Sequence, residues 1–343
     1  INGDYTIYYR IFLLYMFSYA LDIIWFFQGV EEFGKIVFRN IVIKLLSIVC
    51  IFIFIKTQAD LWKYILIYVG GELLGNLSLW LYMPKYINKP NLKELEMKKH
   101  IKPVIMLCFP QIATQIYTVL DKTMIGNITK DMDAVGFYEQ AQKIMRSALV
   151  IITSYGTVIA SRVANIYKTQ DKSKIKEHIE TSFRYVFFIG IPMVLGIIAV
   201  APKSVPWFYG EGYEEVIPLL ATMSILLVVI GISNVSGTQY LIPINKQNIY
   251  TISIVIGCVV NVIFNFILIN LYGAIGAVIA SIIAELSISA IQIYIIRKEI
   301  NFLKVLKSSL KYFISGVIMF LITYGIQLKL DVSIFNSAIE III

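Results

Sequence analysis

The chain has 343 residues, 58% hydrophobic and only 15% charged, and its mean hydropathy is +0.76. That balance is not tolerated on the surface of a soluble domain, so it predicts a polytopic membrane protein. The formal net charge of +8 then reflects topology and anionic lipid rather than nucleic acid, whose binding would need a basic soluble domain.

Ten apolar runs are long enough to cross about 30 Å of hydrocarbon. They lie near 7–27, 37–55, 61–83, 103–126, 138–161, 183–203, 217–240, 249–270, 272–296 and 308–328, and a further run begins near 334. The loops near 28–39, 84–102, 162–184, 244–249 and 297–311 hold twenty Lys and Arg, and the opposite connections hold six. The lysine-rich side is therefore the cytoplasmic one. Cys50, Cys108 and Cys258 all sit inside apolar runs, and His100 and His178 fall in basic loops. No disulfide framework, zinc spacing or GxxxxGK[ST] stretch is present, so neither a metal nor a cofactor is expected.

In chain order, the first run carries Arg10 and Asp22. Asp22 stands alone among Tyr19, Leu21, Ile23 and Trp25, as a counter-ion, a coupling site for a proton or sodium ion, or the cap of a helix break. Lys44 lies about one turn inside the cytoplasmic end, where a lysine snorkels. Glu72 and Glu285 each follow small residues and satisfy polar contacts between helices or take part in ion coupling. These two belong to an internal repeat. Gln28 precedes Lys35 by seven residues, Gln239 precedes Lys246 by seven, and the offset between the pairs is 211; Glu72 and Glu285 are offset by 213. The expectation is a partial N-terminal lobe of three helices at 1–83, a basic linker at 84–102, a six-helix lobe at 103–296 and extra helices at 297–343. On this repeat, 23–83 superposes on 234–296, three helices are missing upstream, and a complete protein has fourteen spans.

The stretch 109–150 carries the chemistry. Gln111, Gln115, Thr118 and Lys122 share one face of an apolar helix, and Glu139, Lys143 and Arg146 form a stripe on the next. An ionisable group at the bilayer centre costs at least about 2.5–3.5 kcal/mol, so these cations face a wet cavity or a partner. One reading is a cationic wall for an anionic headgroup, with Arg146 suited to bidentate phosphate contacts. The other has Lys122 and Lys143 snorkelling outward, paired with Asp121 and Glu139. Further on, KSVPWFYGEGYEEV (203–216) joins aromatics to Glu211, Glu214 and Glu215. An aromatic belt explains Trp207, Phe208 and Tyr209, and sugar stacking is the sharper alternative.

Five segments resemble the polysaccharide (O-antigen and capsule) flippases of the multidrug/oligosaccharidyl-lipid/polysaccharide flippase superfamily. They are WFFQGVEEFGKIVFRN (25–40), FPQIATQIYTVLDKTMIG (109–126), VGFYEQAQKI (135–144), FYGEGYEEVIPLL (208–220) and LYGAIGAVIASIIAEL (271–286). The resemblance implies an all-α bundle of two pseudo-symmetric lobes around a central cavity. It implies a non-enzymatic transporter in the bacterial cytoplasmic membrane, moving polyprenyl-diphosphate-linked oligosaccharide from the inner to the outer leaflet. Membrane lipid, and a polymerase and glycosyltransferases of the same pathway, are the partners it implies. Asp121 and Lys122 lie in its first lobe-two helix motif, Arg146 lies in the following helix, and the family's first three helices have no counterpart. A cation-coupled drug antiporter of the same superfamily is the alternative, and a membrane glycosyltransferase or polymerase ranks below it because every outside loop is short.

Overall fold

The computed structural model describes residues 6–57, 60–87, 96–168 and 170–327, with the side chains between 97 and 118 described in part. Among them every regular element is helical. The order is α1 (Thr6–Ala20), α2 (Ile24–Gly29), α3 (Phe33–Phe54), α4 (Leu61–Trp80), α5 (Met97–Thr129), α6 (Met132–Lys168), α7 (Lys172–Tyr209), α8 (Val216–Ser233), α9 (Gln247–Ile296) and α10 (Phe302–Gln327). A short 3-10 turn follows α4, and α8 runs on into a π-helical stretch, Asn234–Leu241. Eight helices of the described residues are long and apolar enough to cross a membrane. Their outward surfaces are apolar; on α3, Phe38, Leu45 and Phe52 all stand exposed, as lipid-facing positions do.

Helix α9 has 50 residues and would run about 75 Å if straight, more than twice the hydrocarbon thickness. It does not run straight. Gly273 adopts φ 61°, ψ −137°, a conformation glycine reaches at little cost. Beyond it the backbone of Gly276 lies against Leu268 too closely for any Cβ. Ser281 then meets Asn261, and Gln292 donates to Ser253 at 2.8 Å. The element is thus a hairpin of two spans, as expected for 249–270 and 272–296. Helix α5 covers the run at 103–126; the run near 334 lies outside the described residues.

The chain divides into two compact units, 1–96 and 97–343. In the first, Phe27 and Leu79 are fully buried and gather Phe26, Tyr82 and Tyr86 around them. In the second, a continuous core joins Ile125, Ile152, Phe183, Leu227 and Leu241. One contact recurs within each unit. Asn76 donates to the Ser18 carbonyl at 2.8 Å, and Ser289 donates to the Val229 carbonyl at 3.2 Å. The partners are offset by 213 and 211 residues, the same two offsets that relate Glu72 to Glu285 and Gln28 to Gln239.

Arg39 corrects the sequence reading. Counted there with a cytoplasmic loop, it lies inside α3 and is buried. Its guanidinium donates to Asn40 Oδ1 at 2.7 Å and to Asn76 Oδ1. Space for it comes from Gly75, where a Cβ would lie 2.7 Å from Arg39 Nε.

Candidate functional site

The site is built where α5, α6 and both halves of α9 meet. Asp121, near the outer end of α5, is buried with donors on each oxygen. Asn265 Nδ2 donates to Oδ1 at 2.6 Å, while the Tyr138 hydroxyl at 3.0 Å and the Ser281 hydroxyl at 2.8 Å donate to Oδ2. Asn265 also donates to Asn261 Oδ1 at 3.0 Å, and Asn261 donates to Ser281 at 3.3 Å. Asn261 and Asn265, four residues apart, share one face of the first α9 span. One acceptor is left over: Asn265 Oδ1 is buried without a hydrogen-bond partner. Turning that amide would converge the oxygens of Asp121, Asn261, Asn265 and Ser281, a donor set suited to a proton or a small hard cation.

Asp121, Tyr138 and Ser281 of this cluster line a cavity of about 350 Å³ that also takes in Gln142, Arg146, Thr153 and Glu285. Glu285 is buried and accepts from the Ser233 hydroxyl at 3.2 Å. Beside it, Ser236 donates to Gln292 Oε1 at 2.6 Å, where the π-helical turns bring polar side chains inward. Arg146 is an exposed residue. Among the described residues it makes no ion pair within 4 Å. The cavity therefore presents a cation at an exposed position and two carboxylates at buried ones.

The other sequence-predicted residues are distributed as follows. Glu139 pairs with both Lys122 at 3.7 Å and Lys143 at 3.8 Å, which is the ion-pairing arrangement. Asp121 takes no part in it, because its oxygens are turned into the Asn and Ser cluster. Gln115 is exposed, and the side chains of Gln111 and Thr118 lie outside the described residues. Asp22 accepts the Ile24 N–H at 2.8 Å just ahead of α2, the helix-break role. Glu72 is half-buried on α4. Tyr209 and Tyr213 stack on each other at 5.2 Å, with Phe137 edge-on to Tyr213. Among the described residues no cluster of three His, Cys, Asp or Glu could hold a metal ion. Sequence reasoning missed Asn261, Asn265, Ser281 and Tyr138; the signal was two amides one turn apart inside an apolar run.

Residues 2–161 match the family described as "Polysaccharide biosynthesis protein". The resemblance to polysaccharide flippases holds. The chain is 24% identical over 277 residues to a "Putative O-antigen transporter" of Shigella dysenteriae, covering 80% of this chain and 69% of that protein. It is 24% identical over 324 residues to the lipid II flippase MurJ of Bacillus subtilis (strain 168), covering 82% of this chain and 58% of that one. The fold is shared with a solved lipid II flippase MurJ in an inward closed conformation, at a TM-score of 0.66 and 18% identity, over 97% of this chain and 68% of that chain.

Proposed function

We propose that the chain acts as a transporter, not an enzyme, and moves polyprenyl-diphosphate-linked oligosaccharide from the inner to the outer leaflet of the bacterial cytoplasmic membrane. The observation that carries this reading is Arg146, an exposed arginine on a cavity whose other charges are buried carboxylates. A planar fork fits a diphosphate, and a group that costs this much within a bilayer is retained for a ligand. The relatives named above, an O-antigen transporter and a lipid II flippase, support a lipid-linked substrate. Asp121, with Glu285 beside it, is the coupling site: protonation or cation binding there rearranges the α5, α6 and α9 contacts that shape the cavity. Lys122 and Lys143, each engaged by Glu139, serve the outer rim.

In cells whose surface polysaccharide depends on this protein, Arg146→Ala should abolish export with the protein still folded in the membrane. Arg146→Lys should restore it in part, because the charge returns without the fork. Wild-type export by Arg146→Ala at normal expression would remove the residue from the mechanism. Cation-coupled drug antiport is the second reading, favoured by the buried Asp121 and Glu285 on the cavity. It requires the wild-type protein to raise resistance to organic cations, with Asp121→Asn abolishing the effect.

A further inference from the structure

The second unit carries another cavity, of about 610 Å³, on its lysine-rich face. Its wall comes from four separate segments, Tyr167 near the end of α6 being the first. Lys172, Ser173 and Lys176 open α7, Tyr240, Ile244 and Lys246 surround the turn after the π-helical stretch, and Lys298 and Glu299 follow α9. Buried Ile175, Ile244 and Ile300 give it an apolar floor. Its single carboxylate is already engaged: Glu299 accepts from the Tyr240 hydroxyl and pairs with Lys246 at 3.0 Å. Lys176 lies 3.9 Å from Glu180, an exposed pair of little strength. Among the described residues Lys172 and Lys298 make no ion pair within 4 Å. Four lysines thus line one concavity, and Glu299 is the carboxylate among its lining residues.

The first unit shows what a filled version looks like. Lys35 corresponds to Lys246 at the 211 offset, and Tyr86 to Glu299 at 213. Around Lys35 the space is closed by Tyr86, Tyr82 and Phe27, whose ring centres lie 4.5, 5.6 and 5.7 Å from the ammonium. The corresponding lysine of the second unit instead borders an open, basic pocket. Charge on cytoplasmic loops alone accounts for lysines spread over a surface, but not for their convergence on a cavity in one repeat and an aromatic seal in the other.

We propose that this cavity binds a phosphate-bearing anion, either the headgroup of an anionic phospholipid or a soluble organic phosphate, held by Lys172, Lys176, Lys246 and Lys298. A bound phosphate ties the start of α7 to the end of α9, the helix that supplies Ser281 and Glu285. The site is separate from the Arg146 cavity, so its fate does not depend on the transport reading.

The test uses the full chain, with the melting midpoint as readout, in detergent with inorganic pyrophosphate and in nanodiscs of phosphatidylcholine with or without phosphatidylglycerol. Wild-type protein should be stabilised by at least one probe, and Lys172→Gln/Lys298→Gln should weaken the apparent affinity by about a hundredfold, the loss of two charge-assisted contacts at about tenfold each. Lys304→Gln/Lys307→Gln, on α10 outside the cavity, should respond as wild type. Stabilisation by pyrophosphate without lipid identifies a soluble ligand, and stabilisation by phosphatidylglycerol alone identifies a headgroup. Equal weakening of both double variants would reduce the effect to diffuse surface charge and overturn the proposal, as would no response of the wild type to either probe. If the cavity variant lowers the ligand-free midpoint, Lys298→Gln alone, at an exposed position, provides the same comparison.

Discussion

Among the described residues each unit buries a polar cluster with charged members, and the two clusters have opposite sign. In residues 1–96 the charged member is Arg39, whose guanidinium donates to Asn40 and Asn76 while Asn76 reaches back to Ser18. In residues 97–343 the buried charged members are Asp121 and Glu285, surrounded by hydroxyls and amides. The first arrangement ties α1, α3 and α4 together through amides that can neither ionise nor leave. Each leaves one buried atom without a hydrogen-bond partner, Arg39 Nε in the first and Asn265 Oδ1 in the second, but the second opens onto a cavity, where a proton or cation could reach it. The Arg39 guanidinium, held by amide oxygens through its two Nη atoms with Nε unpaired, lines none of the cavities named above; the carboxylate beside a cavity is the one we propose as a switch.

The largest expected effect breaks this contrast if it fails. Asp121→Ala should reduce polysaccharide export on the order of a hundredfold, the size of a lost coupling between two ligands, measured as surface glycan per folded protein. Asp121→Asn should fold normally and transport without response to the cation gradient. If export by Asp121→Ala remains at the wild-type level, the second cluster is architecture too. Arg39→Met should act on stability instead, lowering it by about 1–3 kcal/mol because Asn76 Oδ1 and Asn40 Oδ1 lose a buried donor. Adding Asn76→Leu should recover part of that loss, since both partners are then apolar. Export per folded molecule should stay unchanged in both, and a fall in export without a fall in melting midpoint would give Arg39 a functional role.

A smaller effect probes the π-helical stretch. Gly156 on α6 leaves room for Asn234 and Gln239, and a Cβ there would lie 2.5 Å from Asn234 Oδ1 and 2.6 Å from Gln239 Nε2. Gly156→Ala should therefore cost about 1–3 kcal/mol as an overpacked position, again read as a melting midpoint. A neutral result would show that Asn234 and Gln239 move aside freely.

The spans were legible because a bilayer needs about 20 apolar residues in a row, and even the break inside α9 showed as the change of run near 271. The offsets read from Gln28, Lys35 and Glu72 are the ones at which the Asn76–Ser18 contact recurs as Ser289–Val229. Arg39 was not legible: a single arginine at the edge of an apolar run looks like a loop cation until Gly75 and Asn76 are seen to make room for it. Nor were the partners of Asp121, since Asn265 and Ser281 lie 144 and 160 residues away in sequence. Weighing ionisable groups alone hid Asn261 and Asn265, which are uncharged and carry no motif. Lys122 and Lys143 could be read both ways because the i,i+4 spacing to Glu139 fits a surface pair as well as a cavity wall.

The smallest effect compares two half-buried aspartates, one from each unit. Asp171 precedes α7 and accepts the Lys174 N–H at 3.1 Å, a capping bond that, with the Lys174 side chain, holds its carboxyl below the usual range. Asp60 precedes α4 but points the other way. Its carboxylate takes Lys63 Nζ at 2.6 Å and the Lys56 and Thr57 N–H groups, and Lys63 is the main cause of its depressed titration. A carboxyl with a depressed folded pKa contributes stability that is complete above its unfolded value, about 3.9, and is lost as pH falls through the folded value. Both contributions should thus be constant near neutrality and fade only below about pH 4. They should differ in salt: Asp60 leans on an ion pair that ions screen, whereas Asp171 leans on a backbone amide. Hydrogen exchange of the amides at 56–57 and 174 reads the two sites separately. Added salt near neutrality should speed exchange at 56–57 more than at 174, and Asp171→Asn, which keeps the cap, should leave 174 protected in acid. Equal salt sensitivity at both sites would show that Asp60 is held by its backbone donors rather than by Lys63.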